Sequence, residues 1–495
     1  MTAPDRSLLP ALTRRGLVAA LGTTLLVGVA SAHAGSLGSV TPVSVPSWLF
    51  ALTGGAVVVA SFLFTSLLTD RDLIRAVNER GPTVQAPRAL ALGRRLLAAV
   101  GVVGLLAVVV VGLFVPAPPV ANLAVLLVWV AWWAGYTTTV YLVGNTWPAL
   151  NPFRTLAGSL PTLDRPLPAR LATWPSVVGL LALVWLEVVS PLADAPRLLA
   201  GVAVGYTLLT LAGAVVFGSR TWFERVDPVS RVFRFYGALA PVQRVREGFV
   251  VGLPGAGLLT HGGTEGVVGR RRSPDGPVRA DGGVASTAAH RGRSLVSGGD
   301  DVAFVVALLW TTTFDGFVST QVWADLAGPA VEWGAPPLAV YLAALVGGFG
   351  LFFGGYRLAS ALARRSAGSY VTSVELERRF AVALLPIAAG YHLAHFAGYF
   401  LTFSPALAAV LAAPLSPPAN PLLVVLPDWF GAIQLSFVVL GHLLGVWVAH
   451  SVAFETFTGR LQPLRSQYPY VVVMAAYTMT SMWLLMQPYT APPFL

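Results

Sequence analysis

The sequence has no cysteine and no lysine, and few of its residues carry a charge. The absence of cysteine excludes disulfide bonds, thiolate metal sites and a cysteine nucleophile, so a bound metal would need histidine, carboxylate or methionine ligands. Charged residues make up 11% of the 495 residues, against about 25% in a typical soluble domain. Hydrophobic residues make up 55%, and the mean hydropathy is +0.71. This composition cannot cover a water-facing surface and predicts an integral membrane protein.

The net charge is +10, and all 32 basic residues are arginines. They fall mostly between hydrophobic segments, and no nucleic-acid recognition motif accompanies them. Membrane topology therefore explains the arginines better than a nucleic-acid partner does. We expect the lipid bilayer as a partner and no nucleic acid.

The N-terminal residues 1–34 have the pattern of an export signal. The stretch "LTRRGLVAALGTTLLVGVASAHAG" combines two arginines, an apolar run and a small-residue end. Arg14 and Arg15 also fit a twin-arginine signal, although arginine pairs precede many first membrane helices. Cleavage at one of two small-residue sites would make either His33 or Gly35 the first residue of the mature chain. An N-terminal His33 would offer its amino group and its ring to copper, or it is simply a residue tolerated near the cleavage site.

Ten later segments are apolar enough to cross a bilayer, which needs about 20 residues of helix. The sequence therefore predicts an all-α, polytopic transmembrane helix bundle. The predicted spans are 47–68, 96–115, 121–143, 177–193, 197–217, 301–323, 336–361, 380–402, 429–452 and 467–489.

The loops between these spans alternate in charge. Nearly all loop arginines fall in 69–95, 144–176, 218–300, 362–379 and 453–466. The opposite loops carry no arginine but hold Asp194, Asp325, Glu332 and Asp428, while Arg197 at a helix end is an exception. The positive-inside rule then predicts a plasma-membrane protein with the mature N-terminus and the C-terminus outside.

The predicted bundle has two halves, 35–251 and 301–495, and the second half carries the intramembrane histidines. Between them, residues 252–300 are rich in glycine, arginine and serine, which predicts a flexible cytoplasmic linker. Before the linker, arginines and aromatics alternate within 221–250. This mixture predicts a helix lying in the membrane interface.

Two histidines stand in the apolar stretch "AGYHLAHFAGYFL" of the eighth predicted span. His392 and His395 are three residues apart and share one helix face. In the next span, His442 can lie at the same depth, because consecutive antiparallel helices bring their midpoints together. His450 is about 12 Å further along that helix and cannot join the same mononuclear site. The three histidines at this depth are candidate metal or haem ligands, proton-handling groups, or simple hydrogen-bonding partners of neighbouring helices.

Two acids lie inside other predicted spans, in "LVWLEVVS" and in "TTTFDGFVST". They are Glu187 and Asp315, and ionisable groups at such depth are candidates for function by default. Each could also be satisfied by an interhelical hydrogen bond. The stretch "GNTWPALNPFRTLAG" breaks the chain at two prolines and puts Arg154 at the membrane surface, where it would contact a head group, a loop carboxylate or a phosphate of a substrate.

An ordered set of motifs resembles a prokaryotic family of multi-pass membrane proteins that is often labelled fenitrothion hydrolase. The set comprises "PSWLFALTGGAVVVASF", "GNTWPALNPFRTLAG", "FDGF", "YHLAHF", "GHLLGVWVAH" and "RSQYPYVVVMAAYTMTSMWLL". The resemblance implies hydrolysis of an organophosphate ester. The positions that match the family are His33, Asn151, Pro152, Asp315, His392, His395, His442 and His450. The family often begins its mature chain with His-Gly, whereas this chain has His33-Ala34-Gly35.

Three hypotheses follow. The leading one is a membrane protein of metal handling or redox chemistry, with copper, haem iron or another divalent metal held by His392, His395 and His442. The second is a metal-dependent organophosphate hydrolase, as the resemblance implies, with Asp315 or Glu187 as base. The third is a proton-coupled transporter or permease whose histidines and acids line a path for a small solute.

Overall fold

The long apolar runs form helices, since backbone groups in hydrocarbon must be hydrogen-bonded within their own segment. The computed structural model describes residues 47–79, 81, 83–245, 248–259, 295–427, 429–487 and 492–495. The predicted export signal, His33 and most of the predicted linker lie outside these residues. Residues from Ser47 onward belong to one compact unit.

Eight helices in the described part of the chain are long and apolar enough to cross a membrane. This confirms the predicted all-α membrane bundle. Numbered in chain order, the eight are α1 (Ser47–Ser66), α3 (Pro87–Phe114), α4 (Leu123–Leu142), α8 (Pro196–Phe217), α10 (Gly299–Val318), α12 (Pro337–Ala367), α14 (Leu385–Ala412, within an apolar helical stretch that starts at Ser373) and α15 (Phe430–Thr456).

The other two predicted spans are also helical but differ from the eight. Helix α7 (Trp174–Val189) has 16 residues, fewer than the about 20 that a perpendicular span needs. Helix α16 (Gln462–Leu485) has 24 residues, but polar side chains interrupt its apolar run. Helix α14 ends at Ala412, ten residues beyond the predicted limit of 402.

Short elements connect the long helices. The helices among them are α2 (Arg71–Asn78), α5 (Trp147–Leu150), α6 (Pro152–Ala157), α9 (Pro228–Leu239), α11 (Gln321–Glu332) and α13 (Ser373–Phe380). The strands are β1 (Thr83–Gln85), β2 (Val242–Arg244) and β3 (Gly248–Val251), which form an antiparallel sheet in the order β1-β3-β2. We did not predict this sheet, because strands of three or four residues are too short to show a periodic pattern.

Helix α9 is buried among the other helices of the bundle, while the interfacial location of the segment 221–250 stays a prediction. Phe233, Phe235 and Tyr236 are fully buried. The guanidinium of Arg231 donates to the Asp301 carboxylate of α10 at 2.7 Å, and both side chains are almost fully buried. Burial lowers the pKa of Arg231, and the charge of Asp301 opposes that shift. The ion pair lets an arginine-bearing helix enter the core, which amphipathicity alone could not predict.

Helices α14 and α15 cross in close contact at two glycines. A Cβ atom added to Gly390 would lie 2.7 Å from the carbonyl oxygen of Phe437, and one added to Gly441 would lie 2.6 Å from that of Pro386. Small residues are the usual means by which membrane helices approach this closely. The crossing brings the two histidine-bearing helices together at the depth of His392 and His442.

The histidine-bearing helix α14 and the aspartate-bearing helix α10 form the centre of the bundle. In each, 78% of the residues of the apolar window are buried, compared with 11% in α12. Helix α12 therefore presents most of its apolar surface to lipid. Most side chains of these two windows therefore lie among protein side chains.

Candidate functional site

The acid of α10 and the outer histidine of α14 meet inside the bundle. Nε2 of His395 lies 3.2 Å from Oδ2 of Asp315, with 28% and 30% of the two side chains exposed. The threonines before Asp315 do not compete for its carboxylate. Thr311, Thr312 and Thr313 each donate to a backbone carbonyl of their own helix, at 2.9 to 3.1 Å. Asp315 is left to pair with the imidazole, and the pair is an ion pair whenever the imidazole is protonated.

Glu187 belongs to the same group. It lies near the end of α7, which packs against α10, and its carboxyl interacts electrostatically with that of Asp315. The sequence predicted both acids as candidates but could not tell that they would meet, because their helices are far apart along the chain. Glu187 thus acts electrostatically on a carboxyl that is itself in contact with an imidazole.

A tyrosine that the sequence analysis did not select completes the group. The hydroxyl of Tyr391 is buried and has no hydrogen-bond partner among the residues that the structure describes. A Cβ atom at Gly316 would lie 2.6 Å from this hydroxyl, so the oxygen rests against the backbone beside Asp315. The ring lies nearly parallel to that of His395, with 6.4 Å between centroids. The spacing of Tyr391 and His395, four residues apart on one helix, was the available signal.

His392 has different neighbours from His395. Its Nδ1 atom lies 3.1 Å from the hydroxyl of Tyr141 on α4, and its ring packs against Trp133 and Phe396. A step of three residues turns a helix by about 300°, so the two side chains diverge by about 60°. The divergence directs His395 to α10 and His392 to α4. Trp133 belongs to a π-helical stretch, Leu126–Tyr136, and such stretches often lie at functional sites.

His442 is buried at the crossing of α14 and α15. Its Nδ1 donates to the carbonyl of Val438 at 2.8 Å, and Nε2 has no partner among the described residues. The ring is 5.8 Å from that of Tyr477, whose hydroxyl bonds Thr313 of α10. His450 is apart from this region, because its Nε2 donates to the carbonyl of Leu68 at 2.9 Å.

The three histidines that were predicted to bind a metal or haem have different neighbours in the structure. Within the described ranges, no group of three or more histidine, cysteine, aspartate or glutamate side chains is arranged to hold a metal ion. His392, His395 and His442 instead contact Tyr141, Asp315 and the Val438 carbonyl, respectively. The assignment of copper or haem iron to these histidines stays a prediction, because haem iron needs only one or two axial histidines. The fourth candidate ligand, His33, lies outside the described residues.

Comparisons of the chain with protein-family models, with curated proteins and with solved structures gave no match. The resemblance to the fenitrothion hydrolase family stays a prediction. The inference of function therefore depends on the geometry of the group formed by Glu187, Asp315, Tyr391 and His395. We refer to these four residues as the acid–imidazole group.

Proposed function

We propose that this integral membrane protein is a proton-coupled transporter, and that Asp315 and His395 bind and release the coupled proton. The observation that supports the proposal best is the 3.2 Å contact between their side chains at membrane depth. A carboxylate oxygen and an imidazole nitrogen at this distance can share one proton between them. Such a pair can hold a proton inside the bundle and pass it on when the helices rearrange.

The neighbours of the pair support a route for the proton. Glu187 interacts electrostatically with Asp315 and offers a second carboxyl. The Tyr391 hydroxyl lies beside Gly316 and has no hydrogen-bond partner among the described residues. Ionisable side chains in membrane spans are costly and commonly mark ion paths and proton relays. Both Asp315 and His395 keep almost a third of their side-chain surface exposed, so the pair is not sealed inside the protein.

The geometry favours proton coupling over the other two hypotheses. Asp315 and His395 are in contact, whereas no group of three or more histidine, aspartate or glutamate side chains is found among the described residues. The group formed by Glu187, Asp315, Tyr391 and His395 needs no metal to bind a proton. We therefore rank proton-coupled transport of a small solute first.

Proton flux through reconstituted protein tests the proposal. The purified chain is placed in liposomes that contain a trapped pH-sensitive dye, and an inside-negative potassium diffusion potential drives protons inward. We expect wild-type liposomes to acidify faster than protein-free ones, and Asp315→Asn to abolish the excess rate. Asp325→Asn is the matched control, because it makes the same chemical change at an exposed acid outside the acid–imidazole group. Wild-type flux equal to that of Asp315→Asn across the tested pH range would contradict the proposal.

A further inference from the structure

A basic cavity lies away from the acid–imidazole group, at the end of the bundle where the arginine-rich loops emerge. It has a volume of about 830 Å³. Its polar lining consists of four arginines and two hydroxyl side chains: Arg94, Arg95, Arg154, Arg244, Thr155 and Ser159. The four guanidinium groups come from three separate parts of the chain, namely α3, α6 and β2. They converge only in the folded bundle.

The proline-broken motif "GNTWPALNPFR" builds one wall of this cavity. The side chain of Asn151 caps α6 by accepting from the Arg154 amide at 3.0 Å, and its amide nitrogen donates to Ser230 of α9 at 3.1 Å. Asn145 donates to the carbonyl of Phe233 at 2.9 Å. These bonds fix α5 and α6 on the buried helix α9. The motif thus holds Arg154 rigidly, with its guanidinium 5.7 Å from the ring of Phe223.

A close helix contact brings the second pair of arginines to the same place. A Cβ atom at Gly101 of α3 would lie 1.8 Å from the carbonyl oxygen of Leu150, so only glycine permits this approach. Arg94 and Arg95 lie seven and six residues before Gly101, about 10 Å along the helix. The contact therefore carries them to the side of α6. An uncharged run from Leu96 to Phe114 follows, about 28 Å long, which places both arginines at the head-group level of a bilayer.

Within the part of the chain that the structure describes, the arginines of the cavity have no acidic partner. No ion pair among the described residues includes Arg94, Arg95, Arg154 or Arg244, although arginines elsewhere in the bundle pair with acids. Four like charges around one cavity repel each other until an anion enters. Guanidinium groups bind phosphate oxygens through paired hydrogen bonds, and the hydroxyl of Ser159 can add a further donor.

We propose that this cavity binds a phosphate group, supplied either by the head group of an anionic phospholipid or by a soluble phosphorylated compound. The proposal does not depend on proton coupling, because no residue of the cavity belongs to the acid–imidazole group. Basic pockets between membrane helices are a known means of binding anionic head groups. The depth of Arg94 and Arg95 makes a lipid phosphate accessible, and the open arginine-rich end makes a soluble phosphate accessible.

Ligand-dependent thermal unfolding of the full chain in neutral detergent tests the site. The fluorescence of the 14 tryptophans reports unfolding. The probes are inorganic phosphate, dioctanoylphosphatidylglycerol and, as the zwitterionic comparison, dioctanoylphosphatidylcholine, all at constant ionic strength. We expect phosphate or phosphatidylglycerol to raise the midpoint temperature of unfolding in a saturable way. Phosphatidylcholine should bind at least about tenfold more weakly, since it lacks net charge. Stabilisation by phosphatidylglycerol alone identifies a lipid site, and stabilisation by phosphate identifies a site open to soluble ligands.

Variants distinguish specific binding in the cavity from non-specific attraction of anions to a basic surface. Arg94→Gln and Arg244→Gln should each weaken binding by about tenfold, and the double variant by more, since each removes a charged hydrogen-bond donor. Both side chains are exposed, so the fold should not depend on them. Arg88→Gln, on the same helix as Arg94 but outside the cavity, should bind as the wild type does. The proposal is overturned if neither anionic probe binds, if the double variant binds as tightly as the wild type, or if Arg88→Gln loses as much affinity.

Discussion

At the scale of single residues, the buried polar groups decide how this membrane chain can fold. Arg231 and Asp301 are charged and lie in the core, which is costly unless each satisfies the other. Their contact is 2.7 Å long, and Asp301 also accepts from the backbone and hydroxyl of Ser297 at 2.8 and 2.7 Å. The rings of Phe235 and Phe304 flank the guanidinium. The pair therefore fixes α9 against the start of α10.

Removal of one partner of this ion pair should destabilise the protein strongly. Arg231→Ala leaves Asp301 buried without its countercharge, and we expect a loss of about 3–5 kcal/mol in the free energy of unfolding. The double variant Arg231→Met/Asp301→Leu should recover most of this loss, because it leaves no unpaired charge. Unfolding in detergent measures the free energy of unfolding of the single and the double variant. Arg234→Ala, on the same helix but not paired with an acid, is the control. Equal losses in Arg231→Ala and Arg234→Ala would refute the account.

The contact between Tyr391 and Gly316 leads to a second prediction at this scale. Gly316→Val adds a side chain where the Tyr391 hydroxyl lies, since even a Cβ atom would be 2.6 Å from that oxygen. We expect the displaced ring to disturb His395 and to reduce the proton flux at least about threefold, with the chain still folded. Gly350→Val, at a glycine with open space around it, should leave the flux unchanged. Flux at the wild-type rate in Gly316→Val would argue against a role for Tyr391.

At the scale of elements, hydropathy predicted the long helices well, because a segment in hydrocarbon must satisfy its backbone hydrogen bonds within itself. Composition could not reveal that α9 is buried, since that depends on a distant acid, Asp301. Likewise, the local spacing of His392 and His395 placed them on one face, but the partners that separate them come from α4 and α10. A local sequence pattern cannot predict contacts between segments that are far apart in the chain. The acid–imidazole group is formed by such contacts.

The crossing of α14 and α15 should depend on its glycines. Gly441→Ala forces a methyl group to within 2.6 Å of the Pro386 carbonyl, and we expect a loss of about 1–3 kcal/mol in stability from overpacking. Gly431→Ala on the same helix has open space around it and should be neutral or slightly stabilising. The two unfolding midpoints in detergent provide the comparison. If Gly441→Ala unfolds no earlier than Gly431→Ala, the close crossing is not required.

At the scale of the whole molecule, the charges of the loops predict the orientation of the bundle. The arginine-rich loops should face the cytoplasm, with the mature N-terminus and the C-terminus outside. The natural absence of cysteine allows a direct test, because one introduced cysteine provides a unique label. Tyr370→Cys lies in an arginine-side loop and Ser416→Cys in an opposite loop, and both positions are accessible in the structure.

We expect a membrane-impermeant maleimide to label Ser416→Cys in intact cells and Tyr370→Cys only after the membrane is opened. The cysteine-free wild type controls for background. Labelling in the reverse order would mean that the bundle is inverted. That result would also place the basic cavity on the outer side and would restrict its ligand to phosphates found there.

The central claim is that Asp315 and His395 act as one proton-binding unit, and the proton flux of a double variant tests it most directly. The flux into liposomes is measured for wild type, Asp315→Asn, His395→Gln and the double variant. Because residues that act as a unit have non-additive effects, we predict that each single change removes the protein-dependent flux and that the double variant is no slower. Unchanged flux in either single variant, or losses that multiply in the double variant, would contradict the account.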